Sequence, residues 1–323
     1  MRNGWLKGGG VRALLRFLFR DRRAAPAPAC AGRDLLRWRR PPVADYSAAI
    51  DSVLSAFEPR VHAVARERAA APGLLAELLR HPPARRTLLV RNSARFRSLV
   101  LCELLLRAAR EESGPAAEDR ERSARLALDA LSRLDVEVYG EGVIEDFRAR
   151  AWGIVGEARR LAGDLDGAGA ALVEALRRLR RGTGDLFERA QVLDQVSALR
   201  RQQGRWGDAL RLLGRSASAY RRLGEWQLEA RSLVESGCAW WERGEPGRAL
   251  VLLRQAERRL DAGLDPELAA RLRRHLADCL AATGRPLEAQ AVLARTRRFG
   301  VRPAARRRLA GRPADGFLRL VER

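Results

Sequence analysis

The sequence predicts an all-α fold, an α-solenoid of stacked helical hairpins, and three observations carry that prediction. Leu, Ala, Arg and Glu dominate the 323 residues while Thr, Ile and Tyr are scarce, so helix formers abound and strand formers are missing. Four glycines, Gly163, Gly204, Gly244 and Gly284, recur 41, 40 and 40 residues apart between paired helical patterns. Around each glycine the same positions hold small side chains. A chain of this length can bury a sizeable core as two domains or as one elongated array, and the period favours the array.

Residues 1–41 form a basic tail. Gly4 and Gly8 to Gly10 open it, and an Ala/Pro stretch over 24–32 reads as a linker, so neither is expected to order on its own. Residues 42–142 read as an irregular helical region ahead of the repeats. The spacing Ile50, Val53, Leu54, Phe57, Val61, Val64 is a helical stripe that runs to about Ala71, before Pro72-Gly73. A short helix is expected from Leu74 to Leu79, closed by His81-Pro82-Pro83, and a longer one over about Ser93 to Glu111. The run Leu99 to Leu106 in the latter is apolar nearly all round, which requires burial among neighbours. After a polar break at 112–119 come a helix over about 120–134 and another from near Val143.

The period occupies 143–299. Five residues after each glycine stands an alanine (Ala168, Ala209, Ala249, Ala289), and four further on a leucine (Leu172, Leu213, Leu253, Leu293). Seven residues after the alanine the chain is small again, at Ala175, Ser216, Ala256 and Thr296; seven before the glycine it is small at Gly156, Ser197, Gly237 and Ala277. Such positions let the two helices of a hairpin approach closely while the leucine fills the gap, and the glycine ends the first helix in the turn. The extra length falls between one hairpin and the next. There Asp185-Leu186-Phe187-Glu188 looks like a capping box, and Asp265-Pro266 supplies an N-cap followed by proline at the first helical position.

This register resembles the tetratricopeptide repeat. Residues 149–181 match it best, through Trp152, Gly156, Gly163, Ala168 and Ala175, and the likeness extends over about 149–299. Two departures stand out: no repeat carries the family's aromatic at the Leu172-type position, and the period is 40 where the family norm is about 34. HEAT-like repeats also run at about 40 residues but lack this glycine and alanine grammar. The segment from His81 to Leu105 and the later Gly182-Thr183-Gly184-Asp185 resemble uncharacterised bacterial tetratricopeptide proteins from GC-rich genomes. What the resemblance implies is a right-handed superhelix of four hairpins that binds a protein or peptide on its concave side, as an adaptor or as the sensor part of a bacterial regulatory system.

Stacked hairpins expose one side of every first helix along a continuous surface. In the family's register that surface takes the second, fifth, ninth and twelfth positions of each repeat. They are Arg150, Gly153, Glu157 and Arg160; Gln191, Asp194, Ala198 and Arg201; Arg231, Val234, Cys238 and Trp241; Arg271, Arg274, Asp278 and Ala281. Six arginines face three acids, so a positive groove suited to carboxylate or phosphate is expected, with Trp241 as an aromatic contact. The partner-binding set is accordingly Arg150, Arg160, Gln191, Asp194, Arg201, Arg231, Trp241, Arg271 and Arg274, and the partner a protein or peptide with acidic groups.

The formal charge is +22. Residues 1–41 carry eleven basic side chains against Asp21 and Asp34, and 295–323 carry ten arginines against Asp315 and Glu322, so the excess sits in the ends. Nucleic acid bound through these Arg-rich tails is the alternative function, and a GC-rich genome alone would also give this arginine bias. The residues after about 300 are expected to dock loosely or not at all, leaving Val292, Leu293 and Phe299 uncapped, with homodimerisation as one remedy. No converging catalytic constellation can be assembled, since His62, His81 and His275 are scattered and no phosphate loop or nucleophile elbow exists. Neither enzyme activity, a cofactor nor a metal is expected. Cys102, Cys238 and Cys279 read as small core residues, no apolar run is long enough to span a membrane, and the cytoplasm is the default compartment.

Overall fold

A computed structural model describes residues 66–111 and 117–298, and from Glu67 onward these belong to one unit. Both basic tails, the stripe from Ile50 to Val64 and Phe299 lie outside the described residues. Within them the chain is helical, with no strand. The helices are α1 (66–79), α2 (Pro83–Asn92), α3 (Leu99–Glu111), α4 (Ala117–Leu131) and the single turn α5 (Val136–Tyr139). Four hairpins follow: α6 (Glu141–Leu161) with α7 (Leu165–Arg181), α8 (Leu186–Gln202) with α9 (Trp206–Leu223), α10 (Trp226–Glu242) with α11 (Pro246–Arg259), and α12 (Pro266–Ala282) with α13 (Pro286–Arg298).

Gly163, Gly204, Gly244 and Gly284 sit in the turns of these hairpins at φ 87°, 71°, 83° and 76°, the left-handed region that glycine enters without a Cβ clash. The small positions do what the spacing predicts. A Cβ at Gly156 would lie 2.7 Å from Leu172 Cγ, and one at Gly237 2.7 Å from Leu253 Cγ, so the facing leucine fills the space that the glycine leaves. Leu172, Leu213 and Leu253 are all buried, each contributing roughly 1.5–3 kcal/mol by leaving water. Loops between hairpins are short, 182–185, 224–225 and 260–265, so the forty-residue period arises mostly from longer helices.

The start of the array differs from the sequence reading in three ways. Helix α1 runs through Pro72-Gly73, because both face solvent while Ala71 and Leu78 are fully buried and carry the helix past them. Pro82-Pro83 opens a helix where a stop was expected: Pro82 is the N-cap of α2 and Pro83 its first residue, where a missing N–H costs nothing. The expected helix from Ser93 is a 3-10 turn, Ala94–Phe96, followed by α3. In addition α3 packs on α4, and both pack on α6, the same neighbour pattern that the first and third of the four hairpins make with their successors. A fifth, repeat-like hairpin thus precedes the four that the glycines mark.

At the other end, Val292 is buried, contrary to expectation, in the cluster that Leu268, Leu272, Leu276 and Leu280 form. Leu293 is 43% exposed, although its counterparts in the earlier repeats are covered, and Leu287 is 79% exposed.

Candidate partner-binding cleft

The first helices α6, α8, α10 and α12 together line an open cleft of about 780 Å³. Helix α6 contributes Glu157 and Arg160; α8 contributes Ala198, Arg201 and Gln202; α10 contributes Glu235, Cys238 and Glu242; α12 contributes Arg271 and His275. Its walls carry three guanidinium groups and three carboxylates, so the cleft is charge-balanced, in place of the positive groove that the sequence predicts.

The charges are joined into a ladder that crosses from helix to helix. Arg160 pairs with Glu157 at 2.7 Å and donates to Gln202 Oε1 at 2.9 Å on the next hairpin. Arg201 pairs with Glu235 and, through Nε, with Glu242 at 3.3 Å. Glu235 reaches on to Arg271 at 2.6 Å, whose guanidinium also donates to Cys238 Sγ at 3.6 Å. Exposed pairs of this kind stabilise by about 0.2–1 kcal/mol each, so their arrangement matters more than their energy. Beside them the His275 imidazole is pushed below its ordinary value by burial and by the charge of Arg271, and its Nδ1 is buried without a hydrogen-bond partner. It is therefore neutral at pH 7.

Of the nine residues predicted to bind a partner, Arg160, Arg201 and Arg271 line this cleft. The other six do not. Arg150 is buried, donates two hydrogen bonds to Glu188 and stacks on Phe147 with 4.6 Å to the ring centroid. It is a strut between hairpins and cannot meet a ligand. Gln191 accepts from Arg110 of α3 at 2.5 Å, and Arg231 pairs at 3.0 Å with Asp265, the N-cap of α12. Asp194 accepts from Tyr220 at 3.0 Å and Ser232 at 3.2 Å, which ties α8 to α9 and α10. Trp241 packs against the apolar cluster of hairpins three and four. Arg274 is exposed and makes no ion pair among the described residues.

Part of the misplacement comes from the fifth position. In the first three repeats it turns toward the following hairpin or the core: a Cβ at Gly153 would strike Gln195, Asp194 bonds Ser232, and Val234 is fully buried. The cleft is faced by the sixth position in its place and by the thirteenth beside the twelfth, which is how Glu235, His275, Gln202 and Glu242 enter it. A stripe through positions 2, 6, 9 and 12–13 keeps the 3.6-residue period, and that spacing was the available signal.

Asp194 gives a pH dependence. Burial pushes its carboxyl up to about 6, against the opposing effect of the hydroxyls that donate to it. A raised value means that the folded state holds the proton more tightly. The stability it contributes is complete below about pH 4 and is lost as pH rises through 6, amounting to about 3 kcal/mol at most. Urea unfolding of the wild type and Asp194→Asn at pH 4.5, 5.5 and 7 should show the wild type losing ground to the variant across that interval. Parallel pH profiles would mean that Asp194 titrates in the fold as it does in the unfolded chain.

These features define a class, the tetratricopeptide-type α-solenoid with a polar concave cleft. Neither a family model nor a curated protein matches the sequence. Among solved structures the chain is similar to BtubC (BKLC) from P. vanneervenii, at 19% identity over 73% of this chain and 90% of that one, with TM-score 0.53. That likeness shows a shared fold. It is also similar to a putative kinesin light chain with TPR-like repeats from Podosopora anserina, at 18% identity over 60% of this chain and 92% of that one, TM-score 0.43. A third similar structure is a signal transduction ATPase with numerous domains and a tetratricopeptide repeat sensor from Pyrococcus horikoshii, at 15% identity over 72% of this chain and 41% of that one, TM-score 0.43. No described helix is long and apolar enough to cross a membrane.

Proposed function

We propose that this chain is a non-enzymatic adaptor that holds an acidic segment of another protein along the cleft between its first helices. The observation that carries the reading is the cleft itself, open to solvent and built from four successive hairpins. Its three arginines stand on α6, α8 and α12, and a guanidinium fork can take a carboxylate with two parallel hydrogen bonds. A role as the sensor part of a bacterial regulatory system fits the lengthened repeats. Nucleic-acid binding through 1–41 and 300–323 rests on sequence alone, and the exposed Leu287 and Leu293 are compatible with a homodimer.

A photo-crosslinking amino acid placed at Ala198, on the cleft wall, should capture a partner peptide whose mapped sequence is rich in Asp and Glu. The same probe at Val251, an exposed position on α11 outside the cleft, should not. Adding Arg271→Glu should cut capture at 198 by about tenfold or more while leaving the melting temperature nearly unchanged, since Arg271 is 37% exposed. Equal capture at both positions, or capture indifferent to Arg271, sinks the reading.

A further inference from the structure

Glu235 occupies an unusual place in the cleft. One carboxylate oxygen pairs with Arg201 of α8 and the other lies 2.6 Å from Arg271 of α12, so a single side chain of α10 spans guanidinium groups from the hairpins on either side. Two arginine forks converging on one carboxylate is the arrangement by which an incoming carboxylate would be held. That position is already filled, and by a residue that remains a quarter exposed at 26%. Arg201 has a second carboxylate, Glu242, at 3.3 Å, so it stays oriented when Glu235 leaves. Arg271 likewise keeps its contact to Cys238.

We infer that Glu235 is a built-in competitor: it holds the anion seat between Arg201 and Arg271, and a partner binds by displacing it. The inference rests on the cleft being the binding surface and narrows the partner's chemistry. A single carboxylate from a ligand would only replace the one it removes, with no gain in charge pairing, and Glu235 has the advantage of being tethered. A segment with several adjacent carboxylates can take the seat and, once held there, also compete with Glu157 for Arg160 and with Glu242 for Arg201 along the cleft. The seat therefore selects acidic clusters over isolated acidic residues, by a threshold that Glu235 sets.

The test uses the full chain and a fluorescein-labelled peptide containing four consecutive glutamates, followed by fluorescence anisotropy at physiological salt. The basic tails are common to all variants, so only differences between variants report on the cleft. Glu235→Gln, which keeps the shape and removes the charge, should bind the peptide about tenfold more tightly than the wild type. Adding Arg271→Gln to Glu235→Gln should abolish that gain. Glu235→Ala provides the same comparison should the amide re-form the bridge, and thermal melting verifies that each variant is folded. If Glu235→Gln and Glu235→Ala bind like the wild type while Arg271→Gln alone weakens binding, Glu235 is no competitor, yet the cleft remains the binding surface. If Arg271→Gln changes nothing in either background, the peptide is not in the cleft and both readings fall.

Discussion

Replacing Arg150 with alanine should destabilise the fold by about 3–5 kcal/mol, more than any substitution in the cleft. The reason lies in what is left behind. Arg150 and Glu188 are 6% and 2% exposed, and they join α6 to the first turn of α8 by two side-chain hydrogen bonds. Burial, the largest single influence, would lower the Arg150 guanidinium, but Glu188, with smaller help from Glu103 and Asp185, holds the value above the ordinary one. Without the arginine, the Glu188 side chain is left buried with its partner gone, and the stacking on Phe147 is lost as well. The double variant Arg150→Met with Glu188→Leu removes both charges at similar volume and should recover most of the stability. Chemical denaturation at pH 7 checks this, and a loss below about 1 kcal/mol for Arg150→Ala would show that Glu188 finds water or another cation.

The second large effect is expected at a residue with no side chain at all. Leucine in place of Gly237 should cost about 3 kcal/mol or more, because its Cβ alone would sit 2.7 Å from both Cγ and Cδ2 of Leu253. Leu253 is fully buried and cannot yield, so α10 and α11 must move apart and open the cluster beneath them. Gly214 is the contrasting case within the same architecture. It lies inside α9, exposed, and a Cβ there would meet nothing within 4 Å, so Gly214→Ala should stabilise by about 0.5–1 kcal/mol through helix propensity. Opposite signs at the two glycines in thermal unfolding would establish that close helix approach, and not glycine as such, sets the hairpin geometry. A mild effect at Gly237 would instead mean that the hairpin has slack.

The hairpins were legible in the sequence because their constraints are local. A left-handed turn needs glycine and a close crossing needs a small residue, and both recur in phase. The first helices of the chain were not, because punctuation by proline is ambiguous: Pro82-Pro83 serves a helix start as well as a stop. Between α3 and α4 the sequence has Gly114, but it stands 49 residues before Gly163, off the forty-residue period, and so gave no phase to extend. Asp185 caps α8 as predicted, accepting from Phe187 N at 2.7 Å, but Glu188 abandons the reciprocal capping bond for Arg150. In the cleft, arginines were easier to place than carboxylates. Whether a helical residue faces the groove or the next hairpin depends on a rotation of one position, which the fifth and sixth sites of the repeat show.

The polar contacts between hairpins have a further consequence, for how the chain acquires its structure. Arg150 to Glu188 spans 38 residues, Arg160 to Gln202 42, Asp194 to Ser232 38, and Arg231 to Asp265 34. Each bond therefore closes within about one repeat, and none of these requires the far end of the protein. A ribosome releasing this chain from its amino end would allow every hairpin to dock as soon as the next one emerges. Loop-closure entropy then stays nearly constant from step to step, and assembly proceeds like the closing of a zipper.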